Sequence, residues 1–269
     1  MSQARPFTVI TGASRGIGAE YARALAAQGY DLLLVARDHT RLDMLREELQ
    51  HGHQGEIWTE SLDLSQPQAA STLYEMAHSH REEVSLLINN AGFGMYGDFA
   101  DMPLANIQSM LQLHMNTIVE STRLFLPAML ARQHGAIITV ASVAGFFSIP
   151  YMTEYAATKA FLIAFSKGLA REIQNQCVTI QVCCPGFTDT DFHQTAGHKP
   201  KHVLFAQSSQ KVVQTSLRAL QSKRTLVTIG WQGRLATWTS KMVPQTILMA
   251  LAGKFVKPPS SIPKHQPSH

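Results

Sequence analysis

Short apolar runs rich in β-branched residues recur along this chain, and nearly every one is followed by a longer stretch of helical periodicity. The runs Phe7–Thr11, Asp31–Ala36, Ile57–Ser61, Leu86–Asn89, Ala136–Ser142, Val178–Cys184 and Leu226–Ile229 read as strands. Between them, Ile17–Gln28, Thr40–His51, Pro67–His80, Leu104–Gln133, Tyr155–Gln174 and Gln207–Ser222 read as helices. Strands this short and this apolar, each followed by a helix, belong to a parallel sheet buried on both faces. Right-handed crossovers then give a doubly wound, Rossmann-type α/β fold with a ligand crevice at the carboxyl ends of the strands.

Residues 1–229 read as one dinucleotide-binding and catalytic domain, with no linker or repeat inside it. Beyond it the text changes. Residues 230–257 place Trp231, Trp238, Met242, Ile247, Leu248 and Met249 among Arg234, Lys241 and Lys254, which reads as one or two extra helices. These pack on the domain or on a second subunit, cover a substrate, or lie on a membrane surface. The Pro/Ser-rich residues 258–269 read as a disordered tail.

Composition narrows the class. Of 269 residues, 45% are hydrophobic, enough to bury both faces of a sheet. The formal charge of +4 is mild and the basic residues read as scattered, so no nucleic-acid partner is expected. Twelve histidines include no HExxH, and His78 and His80 sit in an amphipathic stretch, so they read as surface residues and no metal is expected. Three cysteines, Cys177, Cys183 and Cys184, point to reduced thiols and a cytoplasmic protein. Cys183 and Cys184 are strand neighbours facing opposite sides, so they read as core filler. The opening MSQARPFTVITGAS has no signal-peptide apolar region, and no apolar run reaches the roughly 18 residues of a membrane span, leaving at most peripheral membrane contact.

The first chemical motif is Thr11-Gly12-Ala13-Ser14-Arg15-Gly16-Ile17-Gly18, between the first strand and the first helix. Gly12 allows a sharp turn off the strand, Gly16 admits a pyrophosphate to the backbone, and Gly18 lets the helix pack closely on the sheet. The free amides of the helix start then hold the anion. After the second strand, where an NAD-preferring site places a carboxylate, stands Arg37. Arg15 reaches the same place, and two guanidiniums around one spot fit a 2′-phosphate, so NADP(H) is expected over NAD(H). Asp38 comes one position too late to serve as that carboxylate.

The second motif is Ser142 at a strand end, with Tyr155 and Lys159 one helical turn apart. Reducing a carbonyl needs a proton at oxygen as hydride reaches carbon. Tyr155 is the natural donor, Lys159 is expected to lower its pKa by stabilising the phenolate, and Ser142 to hold the substrate oxygen.

Taken with Asn89-Asn90-Ala91-Gly92 and Pro185-Gly186, these motifs resemble the short-chain dehydrogenase/reductase family, in its order, over residues 6 to about 192. The wording around VASVAGF, YAATKAF and PGFTDTDF is closest to the branch of long-chain ketoacyl and hydroxysteroid reductases. The resemblance implies Asp63 and Leu64 beside the adenine, Asn90 near its ribose with Ala91 and Gly92, and Pro185, Gly186 and Thr188 near the nicotinamide. It also implies a homodimer or homotetramer built on the helices Leu104–Gln133 and Tyr155–Gln174.

One position departs from that family. Where it carries an asparagine in the helix before the fifth strand, this chain has His114. Asn116 lies about 200° further round a regular helix, on the wrong face. His114 is expected in the proton relay, its own titration entering the pH profile. The substrate pocket is expected to be walled by Phe93, Met95 and Tyr96, by residues 143–151 including Phe146, Phe147 and Ile149, and by residues 187–205 including Phe192 and Leu204. Such a lining suits an apolar ketone, aldehyde or ketoacyl group, or in the reverse direction the corresponding alcohol. The alternatives are a non-catalytic NADP-binding sensor of the same fold, and a nucleotide-sugar epimerase or dehydratase, for which the chain lacks a sugar domain.

Overall fold

Among the described residues seven strands form and pair in parallel: β1 (Phe7–Thr11), β2 (Asp31–Ala36), β3 (Ile57–Ser61), β4 (Leu86–Asn89), β5 (Gly135–Val140), β6 (Val178–Cys184) and β7 (Leu226–Thr228). Their order in the sheet is β3-β2-β1-β4-β5-β6-β7, the doubly wound arrangement expected. The computed structural model describes residues 5–188, 206–244 and 246–250. The helices are α1 (Gly16–Ala26), α2 (His39–Gln50), α3 (Ala69–His80), α4 (Leu104–Leu111), α5 (Thr117–Ala131), α6 (Thr153–Glu172), α7 (Ser209–Gln221) and α8 (Gly230–Met242). Residues 251–269, including the expected tail, lie outside the described residues.

Every residue of β1, β2 and β4 is buried, as a sheet covered on both faces requires. Alternation along the strands divides the core in two. Ile10, Leu34, Ile88 and Ile138 pack with residues of α1, α2 and α7, whereas Val9, Leu33, Leu87 and Ile137 pack with residues of α3 and α5. Cys183 belongs to the first of these clusters and Cys184 to a third, with Ile118 and Leu162, so the adjacent thiols do face opposite ways.

Most helix ends shift by a residue or two, and three departures from expectation have a clear local form. β5 ends at Val140, so Ser142 lies beyond the strand and caps the short 3-10 turn Val143–Phe146. Pro67 precedes α3, because Gln68 adopts a left-handed conformation (φ 64°) before the helix begins. The stretch expected as one helix over Leu104–Gln133 is interrupted between α4 and α5 by a π turn at Gln112–Asn116. A π turn holds an extra residue, which rotates everything after it relative to a regular helix.

Two features place the functional end of the sheet. β1 pairs with β2 on one side and β4 on the other, so the crevice above the carboxyl ends of β1 and β4 is the topological switch point. Beyond β7, α8 packs against that strand and against the Val143–Phe146 turn.

Candidate active site

The loop from β1 to α1 is a built anion cradle. Gly12 and Gly16 both have positive φ (65° and 57°). A Cβ on Gly12 would lie 2.8 Å from Ala91 Cα, and one on Gly18 would collide with the Gly12 carbonyl oxygen. Arg15, extended before α1, gives that helix no side-chain cap, which leaves the first-turn amides of Gly16, Ile17 and Gly18 without a side-chain acceptor. The residues therefore fit a pyrophosphate. Asn90 braces this loop from β4: its Nδ2 donates to the carbonyls of Thr11 (2.9 Å) and Gly12 (3.1 Å). Its amide thus supports the turn. Thr11 Oγ1 accepts from the backbone N–H groups of Asn90 and Ala91 and donates to the Ile88 carbonyl, which locks β1 to β4.

Around the expected ribose end, Arg15 and Arg37 are exposed, and neither guanidinium makes a hydrogen bond or ion pair among the described residues. Asp38 turns away, as expected, and caps α2 by accepting from the Arg41 N–H (3.1 Å). Asp63 accepts from Ser65 and Gln66. Burial pushes its carboxyl up, but these bonds and the Arg37 charge outweigh burial and hold it below its ordinary value. Leu64 is buried, and its carbonyl accepts from Thr117 Oγ1 at 2.8 Å, tying the β3 exit to the start of α5.

Ser142, Tyr155 and Lys159 meet at the carboxyl end of β5. The Ser142 hydroxyl hydrogen-bonds the Tyr155 phenol, and its Oγ also accepts from the Ala144 N–H (3.1 Å). Lys159 is buried; its Nζ donates to the Val140 carbonyl at 3.1 Å and lies 5.5 Å from the Tyr155 ring centroid. Burial pushes the Lys159 ammonium down to about 8. Burial also dominates the phenol and holds it well above its ordinary value, with the Ser142 bond opposing. The net lowering of the phenol expected from Lys159 is therefore not met, because burial prevails. The ammonium is directed at a backbone carbonyl, and desolvation of the ring is the larger effect. Pro185 accepts from the Val143 N–H (2.9 Å), Thr188 Oγ1 donates to the Gly186 carbonyl, and these bonds set the β6 exit beside Ser142.

The π turn decides between His114 and Asn116. Asn116 is exposed and donates to Gln112 Oε1, whereas His114 is fully buried. Its Nε2 accepts from the Phe93 N–H (3.1 Å), so in the neutral ring the proton sits on Nδ1 and is donated to Thr158 Oγ1 (3.0 Å). Thr158 in turn donates to the Tyr155 carbonyl (2.9 Å). Both ring nitrogens are thus occupied by structure. Burial, then the nearby Lys159 charge, hold the ring pKa well below 6.5. His114 thereby ties the β4 loop to α6, and its lowered pKa runs against the expectation that its own titration enters the pH profile. The surface reading of the histidines fails here, and also at His78 and His80, half-buried against Tyr74 and Trp58.

That pKa depression makes a stability prediction. Folded His114 stays neutral below pH ~6.5 while the unfolded chain takes up its proton. Stability is therefore full above that value and falls as pH drops, by up to about 1.4 kcal/mol per pH unit. Urea unfolding of wild type and His114→Asn across that range is expected to show a shallower pH slope in the variant. Equal slopes would show that His114 protonates freely in the fold.

Two further positions carried no sequence signal of their own. A Cβ on Gly145 would lie 2.6 Å from the Lys159 backbone, so only glycine lets the turn after Ser142 rest on α6. Thr158 looked like any helical polar residue. Of the expected pocket walls, Phe93, Met95, Tyr96 and Ile149 do gather around Tyr155, joined by Met110 and Met152, while Phe146 packs instead with Ile118 and Leu162. Phe192 and Leu204 lie outside the described residues.

The doubly wound sheet and the glycine cradle define a Rossmann-type dinucleotide-binding domain. Within that class the chain belongs to the short chain dehydrogenase family, which matches residues 6–201. It is 35% identical over 179 residues to a very-long-chain 3-oxoacyl-CoA reductase of Phaeosphaeria nodorum, covering 65% of this chain and 52% of that one. The chain therefore spans about half the length of that relative. It is 30% identical over 199 residues to the 3-oxoacyl-(acyl-carrier-protein) reductase FabG of Escherichia coli, covering 74% and 80% of the two. A short-chain dehydrogenase from Sphingobium yanoikuyae, solved in complex with NADPH, superposes with a TM-score of 0.81 at 28% identity over 98% of both chains.

Proposed function

We propose that this protein is an NADPH-dependent oxidoreductase that reduces an apolar carbonyl, a ketone, aldehyde or ketoacyl group, to an alcohol. The observation that carries the reading is the Ser142–Tyr155–Lys159 cluster, hydrogen-bonded and buried beside an apolar wall at the switch point of the sheet. When bound, the cofactor supplies hydride to the carbonyl carbon. Tyr155 gives the proton to the carbonyl oxygen, so C=O becomes CH–OH with one hydride and one proton accounted for. Burial keeps the phenol protonated at neutral pH, which is the form that reduction consumes. Ser142 holds the substrate oxygen and the phenol together, and the Lys159 ammonium stabilises the phenolate left behind. Arg15 and Arg37 hold the 2′-phosphate, and Gly12 to Gly18 hold the pyrophosphate.

The oxoacyl reductases among the relatives and the NADPH-bound neighbour support the same reading. The test is to titrate NADPH and NADH by fluorescence, then follow loss of the reduced nicotinamide's absorbance with a panel of apolar ketones, aldehydes and ketoacyl thioesters. Oxidation of NADPH by some member of the panel is expected. Tight binding without turnover on any of them would favour the sensor reading instead.

A further inference from the structure

The charge of this chain is not evenly spread. Residues 192–269 contain eleven Lys and Arg and no Asp or Glu, whereas all nineteen acidic residues fall before them with twelve basic ones. The mild net charge hides a strongly cationic carboxy-terminal third, which corrects the reading of the basic residues as scattered. Lys211, Arg218, Lys223, Arg224 and Arg234 are exposed, and none makes an ion pair among the described residues.

Within this cationic third, α8 carries an exposed apolar stripe. Trp231 is 64% exposed, Leu235 47%, Trp238 58% and Met242 65%. Their spacings of four, three and four residues put them on one face of the helix, and Ile247, 51% exposed, follows in the helical residues 246–250. No described helix is long and apolar enough to cross a membrane.

We propose that α8 docks this protein on an anionic lipid surface, with the Trp231–Met242 stripe in the interface and exposed Arg234 of the same helix toward the head groups. Paired tryptophans on an amphipathic helix suit the boundary between acyl chains and head groups. A carboxy-terminal third without a single carboxylate is complementary to acidic lipid. A second copy of the chain fits less well, because pairing α8 with its symmetry mate would bring together two helices that carry basic residues and no acidic ones. An acidic protein would satisfy the charge as well, and vesicle binding that substitution of the tryptophans leaves unchanged would favour it. Because α8 rests on the turn that follows Ser142, docking also brings the active site close to the bilayer.

The experiment is co-sedimentation of the full chain with vesicles of phosphatidylcholine alone or mixed with phosphatidylglycerol, at low and high salt. Binding is expected to phosphatidylglycerol vesicles, weakened by salt. Each of Trp231→Ser and Trp238→Ser is expected to weaken it about tenfold. Circular dichroism and reduction of a water-soluble ketone check that the variants fold. An Arg234→Glu variant, which keeps the stripe, is expected to lose binding preferentially at low salt. Vesicle binding that the tryptophan variants leave unchanged would overturn the assignment. So would an absence of vesicle binding, and variants that instead change the sedimentation mass would identify the face as a contact between copies. Sedimentation needs no turnover, so its outcome stands whether or not the proposed reductase activity is found.

Discussion

Tyr155→Phe is expected to lower carbonyl reduction by about 10³ while leaving NADPH affinity within a few fold. The phenol is the acid that the fold holds against Ser142 at the β5 end, beside the apolar wall. Lys159 Nζ donates to the Val140 carbonyl, and His114 donates through Nδ1 to Thr158. Ser142 holds the Ala144 N–H and has no base beside it. The ring itself packs with Met110, Ala144 and Met152, contacts that phenylalanine keeps, so the loss of stability is limited to the Ser142 bond, about 1 kcal/mol. Steady-state rates, an NADPH fluorescence titration and a thermal melt separate these effects. Activity within tenfold of wild type would remove Tyr155 from the proton-donor role. The wild-type pH profile carries a sign of its own. As pH rises through about 8, Lys159 loses the charge that stabilises the phenolate, so reduction falls on the alkaline side. On the acid side, His114 adds no catalytic step, since it stays neutral and its ring is held at both nitrogens.

Keeping Lys159 buried and charged has an energetic consequence. A folded pKa of about 8 against 10.5 in the unfolded chain disfavours the fold at neutral pH by roughly 3 kcal/mol, an effect relieved only as pH rises through that interval. A buried leucine would be more stable there, so the lysine is a local violation of core packing of the kind that marks chemistry.

The strands were legible nearly residue for residue because burial on both faces leaves short, largely apolar runs, as in β1, β2 and β4. The glycine cradle was legible for a different reason. Gly12 and Gly18 answer to steric demands that no other residue meets, so their spacing is a direct imprint of geometry. The π turn was not legible. Leu104 to Ala131 keeps helical periodicity on both sides of it, and one added residue shifts the phase without leaving a compositional mark. The same shift hides the role of His114, because its partners, the Phe93 N–H and Thr158, come from β4's exit and from α6, far away in sequence. The direction of the Tyr155 pKa was likewise out of reach. Spacing places a lysine one turn away, but only the fold shows that its ammonium is aimed at Val140 and that desolvation of the phenol prevails.

Arg37→Asp is expected to reverse the cofactor preference, weakening NADPH by roughly tenfold to a hundredfold and strengthening NADH. Arg37 follows β2 directly and Arg15 precedes α1, so both stand at the rim of the crevice where β1 and β2 end. Neither guanidinium is engaged in an ion pair or hydrogen bond among the described residues, and each is exposed, so substitution disturbs no packing. A carboxylate at this position accepts from the two ribose hydroxyls of NADH and repels a 2′-phosphate, which adds a penalty to the lost attraction. Asp38 cannot already serve in that way because its oxygens hold the Arg41 N–H and guanidinium at the start of α2. Arg15→Ala isolates the attractive part: it should weaken NADPH by less than Arg37→Asp and leave NADH nearly unchanged. Dissociation constants for both cofactors across the three proteins decide the matter. Equal losses for NADPH and NADH in Arg37→Asp would mean that the residue contacts the shared part of the cofactor and that its 2′-phosphate is held elsewhere. Loss confined to NADPH makes Arg37 the residue that selects the phosphorylated cofactor, and couples this protein to the reducing pool that drives carbonyl reduction.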